Sequence, residues 1–142
     1  EFQWYLGKDG YPTTYCSLDG NIKFGRGGFK IHRMIEPNAP TGMVVDHINR
    51  NRLDNRRENL RICTATENSY NKTKGNSTKT KSKYKGVKQM NKTEWCAVVT
   101  KGGKKYEMKN LADEKTAARM YNVMAEELFG EFCALNTVSD DE

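Results

Sequence analysis

Val44-Val45-Asp46-His47-Ile48-Asn49-Arg50-Asn51-Arg52-Leu53-Asp54-Asn55-Arg56-Arg57-Glu58-Asn59-Leu60-Arg61-Ile62-Cys63-Thr64-Ala65-Thr66-Glu67-Asn68 is the stretch on which the fold turns. A β-run, Met43–Val45, ends on a carboxylate and an imidazole. A loop of about twelve residues follows, dense in Asn, Asp and Arg, and Leu60–Cys63 fits a second short strand. Thr64-Ala65-Thr66-Glu67 has the form of a capping box, which opens a helix and puts Asn68 in its first turns. The expected order is strand, loop, strand, helix.

These residue types suit one reaction. Hydrolysis of a phosphodiester needs an activated water, a cation at the scissile phosphate and a stabilised leaving oxygen. A histidine titrates near neutrality and can take a proton from water, the role expected of His47. The Asp46 carboxylate and the Asn68 amide oxygen are hard donors. With phosphate and water in the other positions they suit Mg²⁺ or Mn²⁺ rather than Zn²⁺. Such a metal stabilises the transition-state charge and the departing alkoxide. Neighbours in a regular strand face opposite ways, so the strand is expected to bend or end at Asp46-His47. The two-sided amide of Asn59 is expected to hold that bend.

With Asn59 twelve residues after His47 and Asn68 twenty-one after it, the chain resembles the HNH nucleases with a ββα-metal fold. Within them it is most similar to the phage group that includes homing endonucleases. The resemblance extends upstream to Ile31-His32-Arg33-Met34-Ile35 and covers residues 3–72. It implies that His47 is the general base, that Asp46 and Asn68 bind the metal, and that Asn59 organises the loop. Members of the group with histidine ligands carry them where Asp46 and Asn68 stand. The departure favours Mg²⁺, with Mn²⁺ substituting. Arg50, Arg52, Arg56, Arg57 and Arg61 crowd the loop. Some are expected to be solvated or paired with Asp54 and Glu58, and two or three to clamp phosphates, with Lys72 further along. His32 is open between packing and a DNA contact or support of the site, and Asn71 between a phosphate or metal-water contact and plain solvation.

The composition bounds the rest. The chain has 142 residues, 36% apolar and 30% charged, enough for one domain or two small ones. No apolar run approaches the roughly 20 residues of a spanning helix, which excludes a membrane protein, and no membrane partner is expected. Residues 1–93 carry 18 basic and 8 acidic side chains, and residues 94–142 carry 6 and 10. A folded chain with so basic a part is expected to bind a polyanion. Cys16, Cys63, Cys96 and Cys133 stand singly, without a C-x-x-C pair, so no structural zinc is expected. Nothing resembles a signal peptide, and the expected setting is a reducing cytoplasm, that of the host if a phage encodes the chain. The opening Glu1-Phe2 carries no weight.

Around the central stretch, turn signals at Lys8-Asp9-Gly10, Asp19-Gly20 and Arg26-Gly27-Gly28 separate Gln3–Leu6, Tyr11–Leu18 and Phe29–His32, the punctuation of short β-hairpins. From Asn71 to Lys88 there are seven lysines and no acid, and residues 72–82 read as an extended cationic linker that buries nothing. Tyr84–Gln89, Glu94–Thr100 and Lys104–Lys109 are strand candidates joined by turns at Asn91-Lys92 and Gly102-Gly103. Asp113 caps a helix that Gly130 ends, with Ala117, Tyr121, Met124, Ala125 and Leu128 on one apolar stripe.

Ser82-Lys83-Tyr84-Lys85-Gly86-Val87, Trp95-Cys96-Ala97-Val98, Ala117 to Asn122 and Leu128 to Asn136 resemble the plant ethylene-response-factor DNA-binding domain. The resemblance implies that sheet side chains enter the major groove, here Lys85, Lys88, Trp95 and Lys105, with Trp95 equally a candidate for the core. Lysines stand where that family prefers arginines, and Lys lacks the fork that reads guanine, so the module is expected to position DNA with altered base readout. The expected fold class is α+β. A ββα-metal nuclease domain with N-terminal hairpins (3–72) is followed by a Lys-rich linker (73–82). A small three-stranded antiparallel sheet with one packed helix (83–136) and an acidic tail (137–142) complete it. The expected activity is metal-dependent cleavage of double-stranded DNA by a monomer, with a homodimer as the other assembly. A non-catalytic DNA-binding regulator that retains the nuclease fold is the alternative.

Overall fold

Glycine and aspartate turns fold the N-terminal runs back on themselves. Gly10, at φ 77°, closes the first reversal, with its N–H donating to Gly7 O at 2.8 Å. It joins β1 (Trp4–Leu6) to β2 (Pro12–Thr14), and β3 (Phe29–Lys30) pairs with the other side of β2. All three are antiparallel, with Trp4 opposite Thr14 and Thr14 opposite Phe29. The computed structural model describes residues 4–14, 28–75 and 81–139. The expected strand residues 15–18, the turns at 19–20 and 26–27, and residues 140–142 of the acidic tail lie outside them.

One expectation fails just after β3. Ile31 and His32 do not finish a strand but begin a helix, α1 (Ile31–Ile35). Ile31, His32 and Ile35 are half-buried or buried while Arg33 and Met34 are exposed, so the helical period places one face inward and overrides the β-branched residues.

β4 (Met43–His47) and β5 (Leu60–Thr64) form an antiparallel pair, with Val45 opposite Ile62, Asp46 opposite Arg61 and His47 opposite Leu60. The strand runs two residues further than the Met43–Val45 run and ends at His47. β5 leads directly into α2 (Ala65–Tyr70). The capping box is made in full: Thr64 N–H donates to Glu67 Oε2 at 2.8 Å, and Glu67 N–H donates to Thr64 Oγ1 at 3.1 Å. This unit, Glu1–Ser69, has a core unusually rich in polar groups. Thr13, Thr14, His32, Asp46, His47 and Asn59 are buried beside Val45, Leu60 and Cys63.

The second unit, Tyr70–Glu142, is a three-stranded antiparallel meander covered by one helix. Its strands are β6 (Val87–Gln89), β7 (Trp95–Lys101) and β8 (Lys104–Leu111), and its helix is α3 (Glu114–Phe129). Tyr84–Gly86, expected in the first strand, precede it. Gly86 sits at φ +69°, outside the extended region, where a Cβ would lie 2.0 Å from the Tyr121 ring. The close approach needs glycine there. Asp113 caps α3 by accepting from Thr116 N–H at 2.7 Å, and Gly130 follows its end. Ala117, Ala118, Tyr121 and Ala125 pack on Val87, Ala97 and Val99, with Met124 and Leu128 at the margin. The chain is thus a mixed α and β protein built on several small antiparallel sheets. No helix among the described residues is long and apolar enough to cross a membrane.

The expected linker is only partly a spacer. Ser82 is buried, its hydroxyl donating to Glu114 Oε1 at 2.7 Å, and Lys74 reaches Ser82 O. Two polar partners explain why a residue in a lysine-rich run is drawn inward. Residues 76–80 lie outside the described residues.

Candidate active site

The polar loop between β4 and β5 is held by asparagines acting as backbone surrogates. Asn59 is buried and uses both ends of its amide. Its Oδ1 accepts from Asn49 N–H at 2.9 Å, and its Nδ2 donates to Asn49 Oδ1 at 2.9 Å and to Asp54 O at 2.7 Å. Ile48 N–H donates to Asn59 O at 2.9 Å, closing the loop directly after His47. Arg50 takes φ 65° to make the reversal, a conformation that costs a non-glycine residue about 1 kcal/mol or more and persists only where the surroundings dictate it.

His47 is buried and held from two directions. Its Nε2 lies 3.0 Å from Asn55 Oδ1. Asn55 Nδ2 in turn donates to Leu53 O at 3.2 Å and Arg52 O at 3.4 Å. On the ring's other side stand Tyr11, with centroids 5.8 Å apart, and His32, at 5.1 Å and nearly perpendicular. Tyr11 and His32 also meet, at 4.8 Å. His32 is buried and its Nδ1 makes no hydrogen bond. Burial, with the His47 ring beside it, lowers the His32 pKa to about 4, so at neutral pH it is an uncharged wall of the site. His32 is thus packed against the rings of Tyr11 and His47.

Asp46 turns to a different partner. Arg61 approaches Asp46 Oδ2 with Nη2 at 2.9 Å and Nε at 3.1 Å, in a pair whose side chains are 11% and 8% exposed. Cys63, two residues along β5, is a buried reduced thiol whose pKa burial and the Asp46 charge push up. Asn68 is half-buried on α2. Among the described residues no three His, Cys, Asp or Glu side chains gather as a metal cluster. A metal here would draw on hard oxygens, one carboxylate from Asp46 and one amide from Asn68. That set suits Mg²⁺ by its chemistry, and both Arg61 contacts fall on one Asp46 oxygen, Oδ2.

The other loop arginines divide. Arg56 is bidentate on Asp54, both contacts 2.8 Å, and lies 3.5 Å from Glu58. This fork holds the Asp54 carboxyl well below the ordinary range. Arg57 bonds Glu36 at 2.7 Å and Ile35 O at 2.9 Å. Arg52 donates to Asp9 O at 2.6 Å and stacks over Tyr11. Arg50 is exposed. In the second unit Lys85 donates to Tyr70 O at 2.7 Å and to Lys72 O at 2.6 Å, so its ammonium straps the start of that unit, and the Lys72 side chain is exposed. Asn71 is buried rather than solvated. Trp95 shares the helix-facing side of β7 with Ala97 and packs on the Tyr84–Val87 cluster. Lys88 pairs with Cys96, and Lys105, ion-paired to Glu107, pairs with Thr100, so both fall on the opposite side. The structure therefore separates Trp95 from these lysines.

Two residues at this site escaped the sequence reading, Asn55 and Tyr11. Asn55 was one amide among many in a loop, and only its eight-residue spacing from His47 could have drawn attention. Tyr11 arrives from 36 positions away and left no local signal.

Residues 31–70 match the protein family described as HNH endonuclease. Over 143 aligned residues the chain is 41% identical to a protein of Acanthamoeba polyphaga mimivirus described as an uncharacterized HNH endonuclease, spanning 97% of this chain and 68% of that protein. No solved structure matches the chain.

Proposed function

The chain belongs to the HNH endonuclease family, and from that premise we propose that it is a metal-dependent DNA endonuclease of the homing type, with His47 as general base. The observation that carries the reading is the placement of His47. It is a buried imidazole at the end of β4, fixed by Asn55, Tyr11 and His32 beside the carboxylate of Asp46.

In this mechanism His47 takes a proton from a water aligned with the scissile phosphorus, and the resulting hydroxide attacks as the bond to the leaving oxygen breaks. Asp46 and Asn68 would hold a Mg²⁺ ion, which Mn²⁺ could replace, and its charge would offset that of the phosphate and the departing oxygen. Asn59 keeps the loop in the shape that presents His47. Arg50 and Arg52 would meet the DNA backbone, and Arg56, Arg57 and Lys72 would reach further phosphates where their present partners allow. In the second unit, read as a module resembling the ethylene-response-factor domain, Lys88 and Lys105 would contact the duplex from one face of the sheet. Each site acts on one strand per engagement, and the protein works as a monomer.

Plasmid cleavage tests the reading. Nicked product is expected with Mg²⁺ or Mn²⁺ and none with EDTA. His47→Gln and Asn68→Ala, each shown to be folded by circular dichroism, should lose at least a hundredfold in rate. Wild-type protein that binds DNA but never cuts would favour a DNA-binding regulator.

A further inference from the structure

The ten residues from Asn49 to Glu58 in the loop between β4 and β5 are polar or charged with one exception, Leu53. Its side chain is 62% exposed. A single exposed leucine is commonplace on a protein surface and by itself carries nothing. Here the backbone beneath it is clamped on both sides. Leu53 N–H donates to Asn51 Oδ1 at 3.1 Å, and Leu53 O accepts from Asn55 Nδ2 at 3.2 Å. Asn51 is held in turn, its N–H donating to Asn49 Oδ1 at 2.8 Å and its carbonyl accepting from Asp54 N–H at 3.1 Å. A leucine on a loose loop folds back onto the surface. This one is kept in water by bonds that such a move would break.

Its surroundings are cationic. Arg50, Arg52, Arg56 and Arg57 lie on the same loop and are exposed. Their charge draws a phosphate backbone to the loop. Once phosphates close on it, Leu53 is the side chain of this stretch that gains by leaving water for the faces of unstacked bases. Its place relative to the chemistry is fixed as well. Asn55, whose amide nitrogen holds the Leu53 carbonyl, has its oxygen 3.0 Å from His47 Nε2.

We propose that Leu53 is a wedge that enters the duplex at a base step beside the scissile phosphate and partly unstacks it, so that the ease of opening that step helps decide where the protein cuts. The inference deepens the nuclease reading above and rests on it for the ligand. An apolar wedge kinks the duplex, and the phosphate contacts of the loop arginines stabilise the kinked form. An aliphatic side chain reads no hydrogen-bond pattern, so its selectivity is for deformability. Pyrimidine–purine steps open most readily, and cuts should fall beside TA and CA/TG steps rather than within A-tracts.

The test compares Leu53→Ala and Leu53→Met with Val123→Ala on α3, a side chain 59% exposed and outside the site. All three should unfold where wild type does, because the bonds that hold Leu53 are made by its backbone. Duplexes spanning the segment that wild type protects in EDTA carry 2-aminopurine at successive steps, and its fluorescence rises when its neighbour unstacks. EDTA prevents metal-dependent cleavage, so this readout needs no catalysis. The expected result is one step that brightens with wild type, Leu53→Met and Val123→Ala and stays dark with saturating Leu53→Ala. With Mg²⁺, nicking of the paired duplex by Leu53→Ala should fall about ten- to a hundredfold, and a mismatch at that step should restore most of the loss. Overturning results are no protected segment, a wild-type complex in which no step brightens, equal brightening with Leu53→Ala, or a rate loss that the mismatch leaves unrepaired. Failure of the nuclease reading would look different: no metal would bring out cleavage by wild type, while the brightening and its loss in Leu53→Ala would still decide the wedge.

Discussion

Arg61 and Asp46 show how much a single pair can decide. Both are largely buried, and removing one partner strands the other's charge in a medium that solvates it poorly. Arg61→Ala is therefore expected to destabilise the first unit by about 3–5 kcal/mol, read from urea unfolding. If Asp46 is a ligand, Mg²⁺ should restore part of that loss and stabilise the variant more than it does wild type. His32 makes a second claim at this scale. Its pKa is about 4 when folded and near 6.5 in an unfolded chain. Between those values the unfolded chain binds a proton that the folded one does not, so stability is full above pH 6.5 and falls as pH drops through the window. The loss attributable to His32 should be about 2–3 kcal/mol by pH 4.5. Unfolding of His32→Phe at pH 7 and pH 4.5 measures it: the variant's difference should be smaller than wild type's by that amount. An equal difference in the two proteins would refute the assignment.

Among the elements, the C-terminal segment after α3 behaves as a side-chain-bonded extension of the sheet unit. Asn136 treats the backbone of Lys85 as a strand would, accepting from its N–H at 2.7 Å and donating to its carbonyl at 3.0 Å. Asn122 on α3 holds the backbone of Asn136 the same way, at 2.7 and 2.8 Å. Asn136→Ala should cost the second unit about 1–3 kcal/mol in thermal or chemical unfolding, since two half-buried backbone groups lose their partners. Gly86→Ala should cost about 3 kcal/mol or more, because a Cβ at φ +69° would meet both the Tyr121 ring and Val98 O, which lies 2.6 Å away.

For the whole molecule the governing quantity is charge. Basic side chains outnumber acidic ones 24 to 18, and the excess lies in residues 1–93. If about ten of these cations neutralise phosphates, affinity for a duplex should fall by roughly three to five orders of magnitude between 50 and 200 mM salt. Binding isotherms across that range check the footprint, and a near-flat dependence would contradict it. The cations differ in how they are committed. Arg56, Arg57, Arg61 and Lys105 already hold carboxylates, whereas Lys88 is exposed on its sheet. Charge-removal variants of Lys88 should reduce the salt slope by about one, and Arg56 variants by less.

What the sequence determined by itself was local. The capping box of Thr64 and Glu67, the Asp113 cap and the Gly102-Gly103 turn are written within a few residues of where they act, because hydrogen-bond geometry over three or four positions dictates them. The β4–β5 pair was legible from its two apolar runs and the polar loop between them. Ile31 and His32, expected to finish a strand, open the helix Ile31–Ile35 instead, because β-branched residues favour extension only until a buried face claims them. Only tertiary structure could decide the rest. Tyr11 and His32 meet around His47 because separate elements converge there. Arg61 rather than solvent faces Asp46 because strand register sets them opposite. Trp95 joins the core because the pleat of β7 turns it toward α3. Each of these depends on which surfaces are buried against which, and no local pattern records that.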